Sequence, residues 1–360
     1  MLATSGDTIM VASATYTENL TIGISLNVIG SGASTTIVDG GAANSVVRIL
    51  PTTTVVLSGL TIRNGQAVHG GGVYNSGDLT ITSTTISRNS ASGTPTFGAQ
   101  GGGIYNGGTL TISNSTVSGN VARPGRMCNL FNRCSGGSGG DIYNVATLTI
   151  NKSTVSGNVA NDVCRLDYNY GRHIVCFGGS GGGIDSFGTL TIYNSTVSDN
   201  VARLGVACER SSCIATGFGG GIISSSSSST LTISNSTISG NQGGGIAGSA
   251  TLQNSIVAHS PGGNCYGTMI SNGYNMSSDG TCNFSSSGDW NNTDPLLGSL
   301  QPNGGPTQTQ ALLPGSPAID AGNPSGCTDG NGHLLKTDQR GYPRPDKEEK
   351  TGCDMGAYEK

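Results

Sequence analysis

The sequence predicts an all-β fold, a right-handed parallel β-helix (solenoid) with disulfide-bonded insert loops and a compact C-terminal capping region. Three observations carry that prediction. A unit reading GGGIYNGGTLTISNSTVSGNVA at 101–122 recurs along the chain, with copies beginning at Gly70, Gly101, Gly139, Gly181, Gly219 and Gly243. Inside it, apolar residues return at fixed alternating positions between Gly and Asn, so the 60 glycines of the 360 residues mark turns and not low-complexity disorder. Ten cysteines fall into local pairs, three of them within segments that interrupt the repeat.

In chain order, β-branched runs at 8–11, 19–22, 26–29, 36–39, 46–50 and 55–62 fit two irregular coils of three strands each. From Gly70 the first four copies each span 22 residues and hold three short strands, GGIYN, TLTIS and STVSGN. Ile104, Leu110, Ile112 and Val117 recur as Val73, Leu79, Ile81 and Ile86, and again as Ile142, Leu148, Ile150 and Val155. Alternation along a strand turns these positions inward as aliphatic rows. Coiling identical units sets each strand parallel to its copy, with right-handed connections, and stacking buries what one coil alone cannot. At roughly 4.8 Å per coil, about eight or nine coils make a rod on the order of 40 Å long.

Asn89, Asn120, Asn158, Asn200 and Asn241 share one repeat position and are expected to stack as a ladder. The Asn-x-Ser/Thr triplets at Asn114, Asn151, Asn194 and Asn235 come from the same repeat and are read as its grammar, not as glycosylation acceptors.

The inserts, at 92–100, 123–138, 161–180 and 203–218, leave the coil at one point and should project from one edge of the rod. Four of the six Phe collect there, with seven of the 17 basic residues, Arg123, Arg126, Arg133, Arg165, Arg172, Arg203 and Arg210. Aromatic and Arg side chains on pinned loops suit an interface, with Phe97, Arg126, Phe131, Arg133, Phe177, Arg210 and Phe218 as its candidates. The alternative is that the loops pack on one another and cover the flank. Sequential pairing joins Cys128 to Cys134, Cys164 to Cys176, Cys208 to Cys213, Cys265 to Cys282 and Cys327 to Cys353. Zinc competes poorly, since an insert offers two thiols and at most His173. Paired cysteines imply an oxidising, extracellular setting, and each bridge contributes up to roughly 3 kcal/mol for a loop of about 15 residues. The helix is expected over 1–260 and the irregular cap over 261–360.

A net charge of -4 does not mark a nucleic-acid binder, and no run of 18 apolar residues reads as a membrane span. The start lacks a basic-then-apolar segment, so an export signal removed, or numbering that begins inside a longer precursor, is expected. Aligning GGDIYN with GGGIDS places Asp141 and Asp185 on the outward face of one strand row, one coil apart, at a separation on the order of 8 Å that suits an inverting glycosidase. No third acid, cation or aromatic platform accompanies them, so catalysis is not expected, and neither is a cofactor. Tyr74, Tyr105 and Tyr143 stack outward, fitting a lateral contact or a carbohydrate strip, or simply each other. Asp329, Asn331 and Asp338 form a weak calcium candidate without EF-hand spacing, and the GGG segments lack the GK[ST] of a phosphate loop.

The segment DPLLGSLQPNGGPTQTQALLPGSPAIDAGNP, followed by TDQRGYPRPDKEEKTGCDMGAYEK, resembles the C-terminal module of bacterial choice-of-anchor Q surface proteins over about 65 residues. The GGGI and STVSGN repeats resemble those of the same proteins and, more distantly, the repeats of polymorphic outer membrane proteins. The resemblance implies an exported β-helix at a bacterial surface, with a helical cap before the first coil and a sorting anchor after GAYE. A first coil without such a cap is an open sheet edge, expected to be covered. The function expected is that of an extracellular structural or surface protein, a self-associating subunit of a fibre or surface layer joined head-to-tail or laterally. The alternatives are an adhesin that binds surface glycans and, behind it, a polysaccharide lyase or glycoside hydrolase.

Overall fold

The computed structural model describes residues 3–94, 98–125, 135–167, 173–203, 205–209, 212–216, 218–346 and 352–360. Among them there is no helix, and the strands stack in parallel rows as a β-helix. The first row runs from Leu20–Ile22 through Ile104–Asn106 to Ile222–Ser224, and the second from Thr8–Val11 through Thr109–Ser113 to Thr230–Ser234. The two fuse in the long strands Ile246–Gln253 and Cys265–Ser271, giving one sheet of 17 strands. A third row of ten strands runs from Ala14–Thr17 to Met276–Ser277. Ten rungs at roughly 4.8 Å make a rod of about 43 Å.

Register follows the repeat: Val73 pairs with Ile104, Leu79 with Leu110, Ile81 with Ile112 and Ile86 with Val117, all fully buried. Each such side chain contributes roughly 1.5–3 kcal/mol of burial. Between the second and third rows the chain turns through a left-handed residue, with φ of 47° at Asn114, 46° at Asn194 and 46° at Asn235. Asn tolerates that conformation better than other residues with a Cβ, which explains three of the four Asn-x-Ser/Thr triplets. Asn194 and Asn235 are fully buried there.

Two features differ from expectation. Coils in the middle of the rod carry four strands and not three, because Gln66–Ala67, Ser90–Ser92, Val121–Arg123, Val159–Ala160 and Val201–Ala202 form a fourth, five-stranded row. Pairs and triplets of residues are too short to show alternation. The strand Ala14–Thr17 also lengthens the helix at its start; among the described residues it pairs on one side alone, and three of its four residues are exposed.

The region expected as a cap is split in two. The parallel sheets continue past residue 260, and the end is closed by residues after 271, where Cys282 and Phe284 enter the main core and Cys265 is bonded to Cys282. The chain then runs back along the flank. Thr154 Oγ1 donates to the Gln308 carbonyl, Gln339 Oε1 accepts from Thr196 Oγ1 at 2.7 Å, and Thr237 Oγ1 accepts from the Ala357 N–H. Third-row strands under this tail are buried on both faces, as at Thr154–Ser156, Thr196–Ser198 and Thr237–Ser239, whereas Thr85–Ser87 and Thr116–Ser118 bury only the inner one.

Candidate functional site

The two candidate catalytic carboxylates do not share a face. Asp141 stands where neighbouring coils have Gly103 and Gly183, and those glycines direct their Cβ positions at the amide ladder. Its side chain therefore turns inward at the bend after Gly139, and Oδ1 accepts from Asn120 Nδ2 at 3.0 Å. Burial holds its carboxyl well above the usual range, opposed by the Asn120 bond. Oδ2 has no partner among the described residues. Asp185 instead occupies the strand row of Tyr143, its register partner. It accepts from Ser225 Oγ at 2.5 Å and from Ser138, and burial pushes it up to about 6. The alignment that put both outward assumed strand alternation through residue 141, which precedes the strand Ile142–Asn144.

Buried amides satisfy the rod from within. Asn89 donates to Asn120 Oδ1, Asn158 to Asn200 Oδ1 and Asn200 to Asn241 Oδ1, at 2.9 to 3.0 Å. A second ladder, missed in the sequence, links Asn75, Asn106 and Asn144 at 2.8 Å per step. On the outer face Arg48 lies 4.6 Å over the Tyr74 ring, Tyr74 stacks on Tyr105 at 4.9 Å, and Tyr105 on Tyr143 at 5.8 Å. Rings stacked face to face present their edges to solvent, so the ladder satisfies itself and offers no open platform to a sugar.

Of the candidate interface residues, Phe97, Arg126, Phe131, Arg133 and Arg210 lie outside the described residues, with Cys128 and Cys134. Phe218 is exposed and stacks on Tyr266 at 5.0 Å, and Phe177 is half-buried. The inserts of two successive coils join in one antiparallel sheet: Val163–Asp167 pairs with His173–Phe177, Gly205–Glu209 with Ser212–Thr216, and Val175 meets Ala207 between the hairpins. These loops do pack on one another. Cys164 faces Cys176 and Cys208 faces Cys213 across the hairpins, and Cys176 is disulfide-bonded.

Where this side sheet stops, an open cleft of about 720 Å³ remains on the rod. Among the described residues Val159, Val201 and Pro261 line it with aliphatic surface and Asp162, Arg203 and Gln242 with polar groups. The signal for it was present: the coil ending at Asn241 turns through Gln242 straight into the next GGG with no insert.

The C-terminal motif residues are structural. Arg340 Nε binds Asp338 at 2.7 Å while its guanidinium lies over Tyr342 and Tyr358. Arg344, fully buried, binds Glu359 at 2.7 Å and reaches Asn194 Oδ1 on the rod. Asp338 also caps the Arg340 and Tyr342 amides, while Asp329 takes the amides of Asn331 and His333 and the His333 ring. Asp329 and Asp338, members of the weak calcium candidate, thus serve separate sets of partners, and among the described residues no three or more His, Cys, Asp or Glu side chains gather there. Cys327 is bonded to Cys353 beside Asn254.

At the opposite end no described residue lies over the first coil. Ile9, Val11, Leu20, Ile22, Leu26 and Val38 line an apolar mouth of about 310 Å³, with Met10 71% exposed beside it. Among the described residues Thr8–Val11, Ala14–Thr17 and Leu20–Ile22 at the start each pair on one side alone, while at the far end Cys265–Ser271 pairs only with Ile246–Gln253 and is held by the closing segment, the Cys265 N–H donating to Thr281 Oγ1 at 3.0 Å and the Ser271 carbonyl accepting from Ser286 Oγ at 2.6 Å. No family model, curated protein or solved structure matches this chain.

Proposed function

We propose that this chain is an extracellular structural protein, a stiff β-helical subunit that joins further copies end to end. The observation behind this reading is the first coil, where Thr8–Val11 pairs on one side alone among the described residues beside an apolar mouth and the exposed Ile9 and Met10; at the other end the last long strand, Cys265–Ser271, presents the exposed Tyr266 and Ile270 under its closing segment. An unpaired edge over an apolar mouth is a template for another strand, and a contact between unlike ends repeats without closing. The disulfides support an oxidising location. The reading contains no catalytic step; the separation of Asp141 from Asp185 supports that.

Residues 1–47 and 211–335 contain no Lys or Arg, so such a contact would bring Asp7 and Glu18 towards Asp279, Asp289 and Asp294. Association should therefore strengthen as salt shortens the screening length from about 30 Å at 0.01 M to about 8 Å at 0.15 M. Sedimentation and electron microscopy of the full chain test this. Linear assemblies that grow with salt, and are lost in Ile9→Asp with an unchanged circular dichroism spectrum, are expected. A wild-type chain that stays monomeric at high concentration at both salt levels would sink the proposal.

A further inference from the structure

We infer that the cleft at the end of the insert sheet binds an acidic polysaccharide. Charge is segregated in this protein: the four inserts carry seven of its 17 basic residues and three of its 21 acidic ones, so they are positive on a chain whose net charge is -4. On the described surface Arg123 and Arg203 follow the equivalent Ala122 and Ala202 of the fourth strand row, two coils apart, and both are exposed with no ion pair among the described residues.

Arg203 belongs to the cleft, and the remaining lining supplies what a sugar acid needs. Val159, Val201 and Pro261 offer an aliphatic surface to the C–H face of a ring, while Gln242 offers an amide partner to hydroxyls. Arg203 supplies a planar fork matched to a carboxylate. The volume of about 720 Å³ falls in the range of ligand sites, about 300–1,000 Å³. The backbone that presents Arg203 is fixed, its N–H donating to the Ala160 carbonyl at 2.9 Å and its carbonyl accepting from Gly179 at 2.9 Å. The self-stacked Tyr74–Tyr105–Tyr143 ladder has no comparable opening.

The test is calorimetric titration of the full chain with polygalacturonate, with neutral dextran and inorganic polyphosphate as comparison polymers. Arg203→Gln and Gln242→Ala are compared with Arg88→Gln, which removes an exposed arginine that does not line the cleft. Expected are binding of polygalacturonate over dextran, weakening of about tenfold or more in each cleft variant, and a change under twofold in Arg88→Gln. The Gln242→Ala arm separates a built site from charge alone, since that variant keeps every charge. No binding of polygalacturonate would overturn the proposal. So would equal binding of polyphosphate with equal losses in Arg203→Gln and Arg88→Gln, which would mark a diffuse basic edge.

Discussion

Asp185→Asn should stabilise the protein at neutral pH and leave it unchanged in acid. Asp185 is 1% exposed, and burial lifts its carboxyl from 3.8 to about 6, although Ser225 and Ser138 both donate to it and pull the other way. The folded value lies above the unfolded one. Below pH 3.8 the group is protonated in both states; between 3.8 and about 6 the unfolded chain ionises first, and stability falls until the folded carboxyl has ionised too. A shift of about two units at about 1.4 kcal/mol each amounts to roughly 3 kcal/mol at pH 7. Asparagine carries no charge and keeps an oxygen acceptor for Ser225. With an unfolding entropy of about 2.1 cal/mol/K per residue, a rod that melts as one unit should gain roughly 4 °C. The assay is differential scanning calorimetry of variant and wild type from pH 3.5 to 8. A difference that opens between pH 4 and 6 and then levels off is expected. A variant no more stable than wild type at pH 8, or a gain equally large at pH 3.5, would refute the assignment of a buried, strained charge.

Arg344→Ala should loosen the tail while leaving the rod intact, because Arg344 ties Glu359, Gly356 and Asn194 together, and Glu359, already raised to about 7 by burial, would lose its ion pair and take up a proton at neutral pH. Limited proteolysis reads this as early cleavage within 293–346 ahead of any cut in the repeats; an unchanged digestion pattern would contradict it. Gly103→Ala places a Cβ 2.2 Å from Asp141 Oδ1 and should lower the melting temperature. Asp141→Gly should recover most of that loss in the double variant, as a cycle of four melting curves would report.

The repeat was legible because stacking makes one-coil periodicity visible: once Ile104, Leu110 and Ile112 were matched to their copies, row membership and parallel register followed. Disulfide pairs such as Cys265–Cys282 were legible from proximity in sequence. What sequence pattern did not reveal shares a physical reason. The fourth strand row consists of segments as short as Val159–Ala160, whose pairing depends on neighbours and not on a pattern of their own. The path of the tail depends on polar contacts such as Gln339 with Thr154 and Thr196, between residues far apart in sequence. Asp141 was misplaced because alternation holds within a strand and stops at a bend.

A ladder restricts which residues it can carry. Every side chain in a row meets its own counterpart about 4.8 Å above and below, so a charge repeated with the unit would face like charge along the whole rod. Neutral groups that both donate and accept escape this, and the rows here are Asn, Ser, Thr and Tyr. A charge enters a row singly or beside its opposite, as Asp39 meets Arg63 at 2.9 Å in the third row; where it is buried, as Asp185 is between Tyr143 and Ile223, burial disfavours the ionised form. Segments with no register to keep are free of the constraint. Arg203, just past the end of its strand, and the Arg340 and Arg344 clasp of the tail lie in such segments. The rod's chemistry is thereby concentrated where the repeat is interrupted, and the cleft holding Arg203 lies beside the turn at which an insert is missing.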